Sequence, residues 1–295
     1  MNTKRKNKIS QLLLIMFFII LCVLVIYPFL LVIGVSLSNE EDILIHGYSV
    51  IPKKFDASAY RYIFKNTGSI LQAYKITTIF SFVSMALSVL LMAMIAFPLT
   101  RRNLKGRTGI SFYLYFTMVF SGGLVPTYIL ITNFLHLDDT IWVYILPSLI
   151  SPWYIFMMRT FFQSLPNEIF ESVKIDGGNT YQIFFRFVLP LSKPVLATVA
   201  LFMLLGKWND WYTSMLYINN EDLVSLQYLL QRIMENIQLL QNMSGSINML
   251  EEAAKIPSET VRMAMVIVVA GPALFVFPLF QRYFVRGLTV GGVKG

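Results

Sequence analysis

The sequence has 295 residues, of which 56% are hydrophobic and 14% are charged, and its formal net charge is +8. About a quarter of the residues in a soluble chain are charged, so this composition excludes an ordinary soluble domain and indicates a membrane protein. The positive charge forms no basic helix or aromatic-basic RNA-binding motif, which argues against nucleic acid as a partner. The single cysteine, Cys22, excludes a disulfide framework and a thiol metal cluster.

The chain begins with a basic segment, residues 1–8, that contains Lys4, Arg5, Lys6 and Lys8. An apolar run over residues 9–37 follows it. This run is too long for a signal peptide and has no small-x-small cleavage site, so it predicts an uncleaved first membrane span. A polar segment then leads to a second predicted span, residues 73–99.

Two further spans are predicted over residues 110–135 and 141–162. The first of these is interrupted by Gly122, Gly123 and Pro126, and the other contains two prolines. Such residues are tolerated inside a span where neighbouring helices or a cavity satisfy the freed backbone groups. The third predicted span is therefore expected to meet a neighbouring helix or a cavity at its break.

The polar stretch over residues 163–194 predicts two short helices joined at a glycine corner. Pro166 suits the first helical position, and Glu168 and Glu171 lie near the positive end of the helix dipole. Gly177 and Gly178 would end this helix, because glycine adopts the left-handed C-terminal conformation without a Cβ clash. A compact corner between spans is a docking surface.

The second short helix is predicted over residues 181–188. Asn179 or Thr180 can cap its N-terminus, and Pro190 would end it. Buried aliphatic and aromatic side chains dominate interface energies, so one of two groups would anchor a partner. The groups are Ile169, Phe170 and Val173 on the first helix, and Phe184, Phe185 and Phe187 on the second.

The remainder predicts a fifth span over residues 195–218, an external segment over 219–258, a sixth span over 261–280 and a tail over 281–295. Within the external segment, Leu226, Leu229, Leu230, Ile233 and Ile237 follow a helical period and predict a surface helix. The fold class is therefore all-α, a polytopic membrane protein with six transmembrane helices.

Lysine and arginine placement predicts the orientation of the spans. Six alternating spans put four basic groups on one side: residues 4–8, the loop around Arg101, the stretch from Arg159 to Lys193, and Arg282 with Arg286 and Lys294. Both termini and the 163–194 stretch are therefore expected in the cytoplasm.

A second unusual stretch consists of Lys207, Trp208, Asn209, Asp210, Trp211 and Tyr212 in the fifth predicted span. In a continuous helix the three aromatic residues would share one face. Aromatic faces with amide and carboxylate groups suit a sugar ring, and ionisable groups at this depth usually mark a pathway. The alternative is an interfacial aromatic belt with an outward-facing Lys207–Asp210 pair.

The sequence has no Walker motif, nucleophile elbow, zinc-protease motif or carboxylate pair. The chain is therefore expected to be non-catalytic and to need no cofactor or metal. If ATP powers its action, the nucleotide site lies on another polypeptide.

Three stretches resemble ABC-importer permeases of the carbohydrate-uptake, maltose-permease type, over essentially the whole chain. The first is the coupling-loop pattern E-x-x-x-x-D-G followed by L-P-L-x-x-P, carried here by Glu171, Asp176, Gly177, Leu189, Pro190 and Pro194. It departs from the family pattern at Ser172 and Val173, where two alanines are usual, and at Gly178, where alanine is usual. The others are WNDWY, residues 208–212, and the tail QRYFVRGLTVGGVKG.

The resemblance implies a type I importer permease in a bacterial cell membrane, with the 163–194 loop coupled to a cytoplasmic ATPase dimer. It implies a second permease chain, an extracellular solute-binding protein and a sugar substrate in contact with residues 208–212. It also implies that Gly291, Gly292 and Lys294 reach towards the ATPase.

Two other functions fit parts of the sequence. An ABC permease for amino acids or peptides would share the coupling loop but would not explain WNDWY. An ion-coupled secondary transporter would show inverted repeats and isolated mid-membrane carboxylates, and neither is clear here.

Overall fold

The computed structural model describes the backbone of residues 3–65, 67–242 and 258–291. In this part, helices are joined by turns and loops, and the β-structure consists of one isolated bridge between Ser38 and Phe55. The α-helices in chain order are α1 (Thr3–Ser36), α2 (Glu40–His46), α3 (Ser58–Phe64), α4 (Thr67–Ala96), α5 (Arg107–Val119), α6 (Leu124–Ile129), α7 (Trp142–Ile145), α8 (Pro152–Gln163), α9 (Asn167–Ile175), α10 (Thr180–Gln182), α11 (Leu189–Leu191), α12 (Lys193–Trp208), α13 (Tyr212–Tyr217), α14 (Leu226–Asn242) and α15 (Ser258–Gly291). Leu130–Phe134 and Ile183–Val188 are π-helical, and Pro98–Thr100, Leu146–Ser148 and Glu221–Leu223 are 3-10 turns.

One compact unit comprises Met1–Thr67 and Arg232–Gly271. In it, α1 passes against the loop that follows α2, and a Cβ at Gly34 would lie 2.2 Å from the carbonyl oxygen of Val50. Only glycine permits this approach. The carboxylate of Glu40 accepts hydrogen bonds from the backbone N–H groups of Glu259 and Thr260, both at 2.9 Å. It thereby caps the positive N-terminal end of α15.

The second compact unit comprises Gly68–Gln231 and Pro272–Gly295, and two clusters form its core. The larger cluster packs the end of α4 against α8, α12 and the segment from α9 to α11, which we call the helical corner. Its buried members include Met92, Phe97, Met158, Phe162, Phe170, Phe184, Val188 and Val199. The smaller cluster joins α4 to α7 and α13, where the rings of Phe80 and Tyr144 stack with centroids 4.2 Å apart.

Among the described residues, three helical stretches are long and apolar enough to cross a membrane: Gln11–Ser36, Gly68–Thr100 and Ser258–Gln281. Two bent pairs pass the same test, Arg107–Val119 with Leu124–Phe134 at 113° and Thr180–Leu191 with Lys193–Trp208 at 77°. These stretches account for three spans, or up to five if each bent pair is one span. The count of six stays a prediction.

The predicted fourth span, 141–162, is not one continuous helix. α7 ends at Ile145, a 3-10 turn follows, and α8 starts at Pro152. Pro147 and Pro152 explain the break, because neither can donate the N–H that would continue the ladder. Residues 110–135 are also divided, between Val119 and Leu124, where Gly123 has a φ of 87°.

Two other predicted boundaries differ. The helix of the fifth predicted span, 195–218, ends at Trp208 and restarts at Tyr212. The last helix runs beyond residue 280, the predicted end of the sixth span, to Gly291, and passes through Pro272 and Pro278. The predicted surface helix is present as α14. The described part of the external segment also contains a 3-10 turn at Glu221–Leu223.

Candidate functional site

Hydrogen bonds fix the turn inside the helical corner on both sides of Gly177. α9 ends at Ile175, Gly177 adopts a φ of 76°, and the N–H of Gly178 donates to the carbonyl of Val173 at 2.8 Å. This bond closes a Schellman motif, which satisfies a carbonyl that the helix end leaves free. The glycine stop predicted from the sequence is therefore present.

Asn179 begins the second half of the corner as its N-cap. Its Oδ1 accepts from the N–H of Gln182 at 2.8 Å, and the Gln182 side chain accepts from the N–H of Asn179 at 2.9 Å. This reciprocal pair is a capping box. Of the two caps that the sequence allowed, Asn179 rather than Thr180 is used.

The sequence predicted that the second helix ends before Pro190, and this prediction is wrong. The helix continues from α10 through the π-helical stretch Ile183–Val188 into α11, and Pro190 lies inside it. A π-helical turn is wider than an α-helical turn, so the chain can pass the proline without an α-type bond to its missing N–H.

Phe170 and Phe184, one from each group of predicted partner anchors, face the core of the second unit. Their exposed fractions are 6% and 4%, and Phe184 packs against the ring of Phe97 at 5.4 Å. A ring that is buried within its own chain cannot anchor another protein, so the prediction is wrong for Phe170 and Phe184, whereas Phe185 of the second group is exposed. The most exposed apolar side chains of the corner are Ile175 and Tyr181, with 85% and 72% of their surfaces free, and Phe185 and Leu191 are exposed to a smaller extent.

The motif residues Glu171 and Asp176 are exposed on the corner. Glu171 lies about 100° and Ile175 about 140° around the α9 axis from Phe170, since each residue advances the helix by about 100°. Thus α9 has an inner face that packs on the core and an outer face that carries Glu171 and Ile175.

Arg101 connects the inner face to the end of α4. Its guanidinium lies 4.7 Å from the ring centroid of Phe97 and 4.3 Å from that of Phe170. These are cation–π distances. Burial lowers the pKa of Arg101 from its ordinary value, because a guanidinium loses hydration there.

The second candidate site is the break between α12 and α13. Because α12 ends at Trp208, Trp208, Trp211 and Tyr212 do not share one helical face, and that prediction is wrong. Asp210 makes the break: its carboxylate accepts from the N–H and the hydroxyl of Thr213, at 3.0 and 2.9 Å, and so caps α13.

The aromatic residues at the break have different surroundings. Trp208 is buried, with its ring 6.2 Å from that of Tyr74. Trp211 and Tyr212 are exposed and meet edge to face at 5.7 Å. Asn209 is exposed and accepts a hydrogen bond from Gln227 at 2.9 Å. The residues available to a solute are therefore Asn209, Trp211 and Tyr212.

Lys207 faces Asp210, with Nζ and Oδ2 3.2 Å apart and both side chains largely buried. This is a structural contact within the chain. Lys207 also lines a cavity of about 360 Å³, which it shares with Ser148, Tyr154 and Phe202. Of the predicted tail contacts, Gly291 is the last described residue of α15, and Gly292 and Lys294 lie outside the described residues.

Sequence reasoning missed Ile175, Tyr181 and Arg101. A helical wheel of α9 would have separated Ile175 from Phe170, because they lie about 140° apart. The contact of Arg101 joins positions far apart in the sequence, and no local pattern carries that information.

The family of binding-protein-dependent transport system inner membrane components matches residues 68–290, a range that includes the helical corner and the break after Trp208. The chain belongs to this family. Membership places this permease in the inner membrane, as a component of a transport system, and agrees with its long apolar helices.

Relatives align along nearly the full chain. The polygalacturonan/rhamnogalacturonan transport system permease protein YtcP of Bacillus subtilis is 35% identical over 98% of this chain and 100% of its own length. Protein LplC of the same species is 36% identical over 92% of this chain and 90% of its own length. The arabinooligosaccharides transport system permease protein AraQ of Halalkalibacterium halodurans is 29% identical over 99% of this chain and 100% of its own length.

The fold is shared with a solved structure. A chain from the crystal structure of a bacterial ABC transporter involved in the import of the acidic polysaccharide alginate superposes with a TM-score of 0.79. The likeness covers 95% of this chain and 98% of that one at 24% identity. The two chains thus share a fold.

Proposed function

We propose that this permease forms the membrane passage for an oligosaccharide, and that its helical corner docks on a separate ATPase. The observation that carries the proposal is the two-faced corner, in which Phe170 and Phe184 are buried while Ile175 and Tyr181 are 85% and 72% exposed. A segment packed on one side and apolar on the other suits a contact between the membrane part and a moving partner.

The inner face supplies a route for that motion. Phe184 packs on Phe97, and Arg101 stands over the rings of Phe97 and Phe170. Displacement of the corner as a rigid body would therefore displace the end of α4. ATP binding and hydrolysis would occur on the partner, since a permease of this family supplies the passage.

The solute would pass the break between α12 and α13. Trp211 and Tyr212 offer exposed ring faces, and Asn209 offers an amide beside them. Ring faces with polar edges suit a sugar. The names of YtcP and AraQ support an oligosaccharide as the solute class. A second permease chain, a cytoplasmic ATPase dimer and an extracellular solute-binding protein would complete the importer, with the termini and the corner in the cytoplasm.

The docking role is tested on the purified importer. Replacing Ile175 and Tyr181 by alanine should lower co-purification of the ATPase about tenfold or more, because exposed anchors that become buried contribute about 2 kcal/mol or more each. Tyr113→Ala is the matched control, since Tyr113 is 67% exposed on α5 and lies outside the corner. Unchanged ATPase retention in the double variant would exclude docking at this face.

The solute class is tested by ATPase activity stimulated by the binding protein, against a panel of neutral and acidic oligosaccharides, amino acids and peptides. Stimulation by oligosaccharides, and its loss in Trp211→Ala with Tyr212→Ala, supports the proposal. Stimulation by amino acids or peptides alone would refute the sugar assignment while leaving the docking role intact.

A further inference from the structure

A cavity of about 790 Å³ lies between the end of α4, the start of α5 and α9. We call it the arginine cavity, because Arg101, Arg102 and Arg107 line it with Thr100, Gln163 and Phe170. None of its lining residues is an aspartate or glutamate. Its volume is within the range of small-molecule sites.

The positive charge in this cavity is uncompensated by the described part of the chain. None of the three arginines forms a salt bridge with a described carboxylate; Arg101 is held by two rings and Arg107 donates to the carbonyl of Leu99 at 2.9 Å. Like charges that share one cavity repel each other. An anion would remove that repulsion, and phosphate is the anion that the planar guanidinium fork binds most readily after carboxylate.

The cavity lies at the end of a membrane span. The stretch Gly68–Thr100 ends at its wall, and α5 starts at Arg107 and exposes Ile110, Phe112 and Tyr113 within its first two turns. An apolar surface next to a basic pocket matches an amphiphile with an anionic head and hydrocarbon tails. Basic pockets at the ends of transmembrane helices bind anionic lipid headgroups.

A carboxylate of the ATPase is the other candidate occupant, and the geometry disfavours it. The cavity reaches Phe170 on the inner face of α9, about 140° around the helix from Ile175 on the outer face. The occupant is thus expected on the inner side of the corner, away from the proposed docking face.

We propose that the arginine cavity binds the phosphate group of an anionic phospholipid and thereby ties the helical corner to the membrane surface. The lipid would neutralise the arginines beside the Arg101–Phe170 contact. Its removal would loosen that contact and reduce the coupling of ATP hydrolysis to uptake.

The test compares Arg102→Glu with Lys105→Glu in the purified importer complex. Both residues are exposed in the same loop and both changes alter net charge equally, but only Arg102 lines the cavity. Phosphatidylglycerol retained per complex is counted by native mass spectrometry during titration with lipid. Arg102→Glu should weaken retention about tenfold or more, because a hydrogen bond to a charged group contributes about 1.5–3 kcal/mol, and Lys105→Glu should not.

The thermal unfolding midpoint of each variant serves as the control for folding. A milder variant, Arg102→Gln, should show the same loss of lipid retention to a smaller degree. Equal loss of lipid in both glutamate variants would mean general surface attraction and would overturn the proposal. Binding of inorganic phosphate without lipid retention would also overturn it. So would loss of the ATPase with lipid retention unchanged, which would assign the cavity to the protein partner.

Discussion

The side chain of Val173 occupies the space that a side chain at residue 178 would need. A Cβ on Gly178 would lie 2.5 Å from Val173 Cγ1 and 2.8 Å from the Val173 carbonyl oxygen. Both positions depart from the family's coupling-loop pattern, in which alanine is usual at each. The two departures are therefore coupled, since a larger residue at 173 requires a smaller one at 178.

Gly178→Ala should destabilise the permease by about 1–3 kcal/mol, the usual cost of overpacking. In a Val173→Ala background the same change should cost less, because only the backbone oxygen remains to clash. A double-mutant cycle on the thermal unfolding midpoint of the purified complex measures the difference. Gly109→Ala is the control, because a Cβ there meets no atom within 4 Å. Strict additivity would contradict the coupling.

Gly177 should tolerate asparagine better than valine. Its φ of 76° is left-handed, but a Cβ there meets nothing within 4 Å, so the cost of substitution is conformational rather than steric. That cost is about 1–2 kcal/mol for an ordinary residue and less for asparagine. Uptake by whole cells, normalised to permease in the membrane, should fall much further for Gly177→Val than for Gly177→Asn. Equal activity of the two variants would exclude a need for this conformation.

Asp139 should stabilise the loop between the π-helical Leu130–Phe134 segment and α7. Its Oδ1 accepts from the backbone N–H of Asn220 at 2.8 Å and from that of Asn219. Both N–H groups lower the pKa of Asp139, because they stabilise its charged form. The N–H of Asn220 has the larger effect and the N–H of Asn219 the next largest. Because the folded-state pKa is depressed, the stabilisation is present above the unfolded pKa, about 3.9. It is lost as pH falls through the lower folded value.

Asp139→Ala should therefore lower the free energy of unfolding by about 1 kcal/mol at neutral pH, a modest figure because the carboxylate is exposed. Asp139→Asn keeps an acceptor oxygen without the charge, so its free energy of unfolding should lie between those of the unchanged protein and Asp139→Ala. The control is Asp138→Ala, since the neighbouring carboxylate makes no hydrogen bond to a described residue. Equal effects at 138 and 139 would mean that only overall charge matters.

Lys207 and Asp210 should behave as a structural pair. Removal of one partner from a buried ion pair leaves an uncompensated charge and costs about 3–5 kcal/mol. Lys207→Met should therefore lower the thermal unfolding midpoint, and adding Asp210→Asn should restore part of it. If Lys207→Met instead leaves the midpoint unchanged and abolishes only solute-stimulated ATPase activity, the lysine serves the solute and not the fold.

Local signals in the sequence predicted the local features of the structure. The Gly177 stop, a cap at Asn179 and the helical period after Leu226 depend on neighbouring residues, and all three are present. The face of Phe170 could not be predicted in that way, because its burial depends on Phe97 and Arg101, about seventy residues earlier in the chain. The break after Trp208 also includes a contact between distant positions, as the hydroxyl of Ser225 donates to the Asp210 carbonyl at 3.0 Å.

The capping box and the Schellman bond give the helical corner its shape before any ATPase arrives. A preformed element loses little conformational entropy on binding, so little of the contact free energy is spent on ordering it when a partner binds. Rigid association of this kind is fast, and the dissociation rate then decides the affinity. On the proposed function, the helical corner would bind and release the ATPase in every turnover without refolding.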